Sequence, residues 1–213
     1  GGAMNAELGW SVAQAGDVNG DGYADALLGA PQADNGQAGE GLVYVHMGSA
    51  AGLSMVPALT LEANIGSAQF GFSVGTAGDV NGDGYADVIV GAPLSNNLGR
   101  AYVYLGSPAG LSAVPSRTYT GGAASGLGYS VGTAGDINAD GYSEVLVGAP
   151  DIVQAYLYMG SAIGLSAAPT LTLTQGAVGT LLGSSVNTAG DVNVDGYSEI
   201  IVTARNYSNG QAN

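Results

Sequence analysis

Four short acidic segments carry the residues best placed to do chemistry. The first holds Asp17, Asn19, Asp21, Tyr23 and Asp25, and the second Asp79, Asn81, Asp83, Tyr85 and Asp87. The third holds Asp136, Asn138, Asp140, Tyr142 and Glu144, and the fourth Asp191, Asn193, Asp195, Tyr197 and Glu199. Side-chain oxygens at positions 1, 3, 5 and 9, with the backbone carbonyl of the tyrosine at position 7, form a donor set for one hard cation. Calcium takes six to eight oxygen ligands, and a glycine at position 6 (Gly22, Gly84, Gly141, Gly196) permits the sharp turn. The spacing therefore predicts up to four structural Ca2+ ions.

The loop is not an EF-hand. Position 12 is Leu28, Val90, Val147 or Val202, where that motif needs a bidentate Glu. Of the 17 acidic residues, 12 lie in these segments, and three carboxylates within nine residues repel one another unless a cation sits among them. Four divalent cations would bring the formal charge from −14 to −6. At position 4, Gly20 and Gly82 give way to Ala139 and Val194, so the third and fourth loops are expected to hold calcium more weakly.

Each loop sits inside a larger repeat, its first aspartates spaced 62, 57 and 55 residues apart. A Gly-aromatic-Ser-Val strand precedes it: Gly9 to Val12, Gly71 to Val74, Gly128 to Val131 and a weakened Gly183 to Val186. An apolar run follows (Ala26 to Leu28, Val88 to Val90, Val145 to Val147, Ile200 to Val202), which reads as a strand buried on both faces. Next come alternating strands at Leu42 to Met47, Ala101 to Leu105 and Ala155 to Met159. Short strands close the unit at Leu59 to Leu61, Thr118 to Thr120 and Leu171 to Thr174. Four strands per 55–62 residues are the signature of β-propeller blades, which bury their faces only against neighbouring blades.

The expected fold is thus all-β: a partial propeller of about three and a half four-stranded antiparallel blades. Residues 1–4 read as a cloning scar, 5–65 as blade 1, 66–122 as blade 2 and 123–176 as blade 3. Residues 177–213 read as an incomplete blade 4 with only its first two strands. Open faces at both ends are a liability in water, and burial against a second copy is the favoured remedy.

The flanking signatures resemble FG-GAP repeats, those of the integrin α-subunit N-terminal propeller and of many bacterial surface proteins. They appear as Leu8-Gly9 with Gly29-Ala30-Pro31, Phe70-Gly71 with Gly91-Ala92-Pro93, and Leu127-Gly128 with Gly148-Ala149-Pro150. The last copy departs, with Leu182-Gly183 and Thr203-Ala204-Arg205. The resemblance implies a seven-bladed propeller in an intact member, and metal loops on the face away from the usual ligand face. It further implies a secreted or cell-surface location and a protein or glycan ligand for adhesion. The Gly-Ser-x-x-Gly-Leu-Ser linkers look bacterial rather than animal, and a signal peptide is not part of this sequence. No integrin I-domain metal site is present, so none of that ligand chemistry is carried over. The alternatives are an accessory module of a secreted enzyme and a fragment that self-assembles into a closed oligomer.

Composition narrows the rest. The chain of 213 residues has 38 glycines, 46% hydrophobic residues, no cysteine, no lysine and one histidine. With 3 basic residues against 17 acidic, it lacks the charge of a nucleic-acid or anionic-membrane binder. No apolar run is long enough to span a bilayer. Gly71 to Gly75 and Gly128 to Gly132 match the serine-hydrolase pattern G-x-S-x-G, but on a blade strand, without the strand-to-helix elbow that chemistry needs. His46 aligns with Tyr104 and Tyr158, which predicts packing. With so few acid–base or nucleophilic groups, no enzyme is expected. Tyr119 and Tyr207 fall off the repeating tyrosine pattern and are the freer candidates for ligand contact. Asn206-Tyr207-Ser208 is a formal glycosylation sequon.

Overall fold

Residues 6–174 and 179–206 are described by the computed structural model; Gly1 to Met4 and Tyr207 lie outside the described residues. The first sheet contains β1 (Ser11–Gly16), β2 (Asp25–Ala30), β3 (Leu42–His46) and β4 (Leu59–Glu62). The second contains β5 (Ser73–Gly78), β6 (Asp87–Ala92), β7 (Arg100–Tyr104) and β8 (Arg117–Thr120). The third contains β9 (Val131–Gly135), β10 (Glu144–Ala149), β11 (Gln154–Tyr158) and β12 (Leu171–Thr174). β13 (Leu182–Gly190) and β14 (Glu199–Ala204) form the fourth. Each sheet is an antiparallel meander in chain order, and among the described residues none closes on itself: they form a partial propeller of three full blades and one half blade.

The strand openings differ from the sequence reading. Gly9, Gly71 and Gly128 are turn residues with φ of 84°, 82° and 85°, so the first strand of each full blade starts after them and runs on to the acidic loop. Burial on both faces holds for β6 and β10, all of whose residues are buried. It fails for β14, none of whose residues is fully buried, because no blade covers its outer face among the described residues. β2, in the blade with an open back face, is intermediate.

Three apolar layers hold the blades together, one at each joint. Leu27, Val43 and Val45 pack with Phe70, Tyr102 and Tyr104 between blades 1 and 2. Ile89 and Val103 pack with Val145, Val147 and Tyr158 between blades 2 and 3. Leu146 and Leu157 pack with Val186 between blades 3 and 4. Truncating such a fully buried side chain to alanine costs about 2–5 kcal/mol.

The joints also share a polar pattern. Ser11 Oγ donates to Gly71 O at 2.7 Å, Ser73 Oγ to Gly128 O at 2.9 Å, and Ser130 Oγ to Gly183 O at 2.8 Å. The serines of both G-x-S-x-G matches are therefore blade-to-blade donors. The first strands line a central groove of about 370 Å³ bordered by Val12, Gln14, Thr76, Thr133 and Asn187. The aromatic residues just before these strands form a ladder, Trp10 to Phe72 at 5.4 Å and Phe72 to Tyr129 at 5.0 Å between ring centroids.

Candidate metal centres

All four acidic loops connect the first two strands of a blade, so they emerge at one end of the molecule. The turns between third and fourth strands emerge beside them. Within the first loop, Asp17 Oδ1 accepts the N–H groups of Gly20 at 2.7 Å and Asp21 at 3.1 Å, while Oδ2 accepts that of Gly22 at 2.8 Å. Desolvation works to raise the Asp17 pKa, but these amides together hold it below the ordinary carboxylate value. Asn19 Oδ1 accepts from Asp21 N, its Nδ2 donates to Asp21 Oδ2, and Asp21 Oδ1 accepts from Tyr23 N. The second loop repeats every one of these bonds around Asp79, Asn81 and Asp83.

The ninth-position carboxylate lies deeper. Asp25 Oδ2 accepts Val18 N at 3.0 Å and Oδ1 accepts Gly48 N at 2.8 Å; Asp87 receives Val80 N at 2.8 Å and Gly106 N at 2.9 Å in the same way. Burial raises the Asp87 pKa to about 7, with the charges of Asp83 and Asp79 adding to the effect and the amides of Gly106 and Val80 opposing it. The longer Glu144 keeps one amide, Ile137 N at 2.8 Å, and its Oε1 is buried without a hydrogen-bond partner. Burial again raises its pKa; the Ile137 and Gly160 amides oppose this, the latter from outside hydrogen-bond geometry.

The third and fourth loops keep the core of the pattern: Asp140 N and Gly141 N on Asp136, and Asp195 N and Gly196 N on Asp191. Neither has the short bond from position 4 that Gly20 and Gly82 supply. Ala139 and Val194 stand there instead at φ of 58° and 63°, a left-handed conformation unfavourable for a β-branched residue. Among the described residues, the acidic side chains drawn closest are in the fourth loop, where oxygens of Asp191, Asp195 and Glu199 lie within 4.8 Å of one another. Glu199 uses Oε2 to accept Val192 N at 2.7 Å.

These donor sets fit a hard divalent cation. Every side-chain donor is an oxygen, each carboxylate keeps acceptor capacity beyond the amides it binds, and Glu144 Oε1 is a buried carboxyl oxygen without a partner. A cation would be held by positions 1, 3, 5 and 9 with the carbonyl of position 7. It would supply charge neutralisation and cross-link the hairpin.

Other sequence candidates resolve differently. Tyr119 is not free for a ligand: it is buried, its hydroxyl donates to Ser166 O at 2.8 Å, and its ring stacks 3.8 Å from that of Tyr158. His46 lies half-buried on the open back of blade 1, its Nδ1 2.8 Å from Ser54 O, where Tyr104 and Tyr158 are buried in covered blades. Sequence reasoning missed Glu40, which is fully buried between β2 and β3. Its Oε1 accepts the Asn35 and Gln37 amides, and its Oε2 has no partner. No spacing signal marks that position, because the loop is longer in blade 1 than in the others.

Comparison with known proteins agrees with this architecture. The FG-GAP repeat matches residues 8–46, 70–104 and 127–153, one stretch in each full blade. Integrin alpha-V of Gallus gallus is 36% identical over 167 residues, 73% of this chain and 16% of its own length. Integrin alpha-6 of Homo sapiens is 35% identical over 147 residues, 68% of this chain and 13% of its own. Integrin alpha-PS3 of Drosophila melanogaster is 34% identical over 160 residues, 71% and 14% respectively. The chain thus spans about a sixth or less of the length of these relatives. With the loop, the blade order and the joints all in place, the chain belongs to the FG-GAP repeat proteins, with a propeller of the integrin α type.

Proposed function

We propose that this chain is a calcium-stabilised, non-catalytic propeller scaffold that works outside the cell, holding a protein or glycan ligand in an adhesive contact. The integrin α-like propeller supports an adhesion-type scaffold. The calcium reading rests on one observation: Asp87 joins its acidic loop to the end of β7 through Gly106, and Asp25 does the same through Gly48. A cation bound there tightens three strands of a blade at once and couples folding to extracellular calcium. The ligand is assigned to the end opposite the acidic loops, where the other connecting loops gather. No helix among the described residues is long and apolar enough to cross a membrane.

Calorimetric titration of the metal-free chain tests the metal half of this reading, with up to four calcium sites expected and magnesium weaker. Binding of immobilised matrix proteins and glycans, in calcium and in EDTA, tests the adhesive half.

A second reading is self-assembly, favoured by the open back of blade 1. Leu8 and Trp10 are 61% and 55% exposed there, while Phe70, at the position of Leu8 in blade 2, is wholly buried by blade 1. A second copy covering that face is the partner this reading requires.

A further inference from the structure

The three joints present a series that ends abruptly. In each, a glycine of the second strand touches the backbone of the next blade. A β-carbon at Gly29 would lie 2.1 Å from Gly71 O, one at Gly91 2.0 Å from Gly128 O, and one at Gly148 2.0 Å from Gly183 O. A backbone carbonyl cannot swing aside as a side-chain tip can, so these positions admit no side chain in this geometry. The loop glycines make a second close approach, a β-carbon at Gly20 lying 2.7 Å from the Tyr85 ring and one at Gly82 2.7 Å from the Tyr142 ring, but the third joint forms with Ala139 at that position.

Blade 4 presents the same surface outward with both positions filled. Strand register pairs Ser185 with Thr203 as it pairs Ser11 with Gly29, so Thr203 occupies the glycine position. Val194 occupies the position of Gly20, and its side chain is exposed. The rest of the docking surface is retained, including Ser185, Gly190 and the Asp191 carbonyl that correspond to Ser11, Gly16 and Asp17.

The back of blade 1 offers the matching half: Gly9 O, Tyr23 and the backbone N–H groups of Ala24 and Ser49. Their counterparts in the next blade engage blade 1 through Ala86 N to Asp17 O at 2.9 Å and Ser107 N to Val18 O at 3.0 Å. The back of blade 1 and the outer face of blade 4 are therefore halves of one joint, and copies meeting head to tail through them would form a heterologous contact that grows into chains unless it closes. We infer that Thr203 is a stop residue, which closes the outer face of blade 4 to the back of another blade and so bars head-to-tail joining of copies. Thr203 would meet the Gly9 carbonyl of the incoming copy. A second copy that covers blade 1 does so with a different surface.

The absence of native cysteine makes cross-linking a clean test. Ser49→Cys and Val192→Cys mark the two faces at positions equivalent to Ser107 and Val18, and a Val18→Cys/Ser107→Cys chain calibrates the linkage within an inner joint. Under mild oxidation in calcium, the marked chain is expected to form no intermolecular 49–192 disulfide. The same chain with Thr203→Gly is expected to form it, and to rise in mass by light scattering. A 49–192 disulfide without the Thr203→Gly change, or none with it once the calibrating pair has linked, overturns the inference. Gly91→Thr provides a check independent of the glycine variant's folding: it places the same obstacle in an inner joint and is expected to lower the melting temperature sharply. An unchanged melt would also overturn the inference.

Discussion

The carboxylate of Asp87 accepts a hydrogen bond from the backbone N–H of Gly106, 2.9 Å away, just past the end of the third strand of its blade. Its other oxygen accepts Val80 N from within the acidic loop, so one buried side chain ties the loop to the end of β7. Asp25 makes the equivalent pair of bonds in blade 1. Position 9 is thus a structural member of the blade as well as a cation donor, whereas in these two blades positions 1 and 3 are half-buried and position 5 is exposed.

That division separates two kinds of aspartate substitution. Asp87→Ala leaves two amides without acceptors, at about 1–3 kcal/mol for each buried unsatisfied group. It is expected to lower the melting temperature both with and without calcium. Asp83→Ala is expected to cost little in EDTA and to remove part of the gain that calcium confers. Paired melts of the two variants check this.

The raised Asp87 pKa gives the metal-free protein a defined pH response. Between the ordinary carboxylate value of 3.8 and about 7, the folded chain holds a proton that the unfolded chain has released. Stability therefore falls as pH rises through this window. Urea unfolding of the stripped protein at pH 5 and pH 7.5 should show the higher midpoint at pH 5. Asp87→Asn should flatten the difference, and saturating calcium should oppose it by favouring the ionised carboxylate.

The serine at the start of the inner strands offers a local comparison. Ser73→Ala removes the Oγ bond to Gly128 O and is expected to cost about 1 kcal/mol. Ser185→Ala, at the same position on the open face of blade 4, is expected to change the denaturation midpoint little.

Much of this was legible before any coordinates, because glycine, aspartate and apolar residues recur at fixed offsets in each repeat. The loops, the meander order and the half blade all follow from that recurrence. Strand starts were less legible, since Gly9, Gly71 and Gly128 read equally well as strand or turn until their positive φ is seen. The burial of Tyr119 was hidden because its partners, Ser166 and Tyr158, belong to the next blade, 47 and 39 residues away. Tyr119→Phe should accordingly lower stability by about 1 kcal/mol, measurable by chemical denaturation. The contrast between Gly29 and Thr203 was visible in the sequence, but its meaning required the 2.1 Å approach to Gly71.

The central claim is that the acidic loops bind calcium and that this binding helps hold the blades. A thermal melt of the EDTA-stripped chain, with and without millimolar calcium and with magnesium as control, tests it most directly. The account predicts a rise of at least several degrees in calcium and a smaller one in magnesium. A melting temperature that calcium leaves unchanged would contradict it and reduce the four loops to acidic turns.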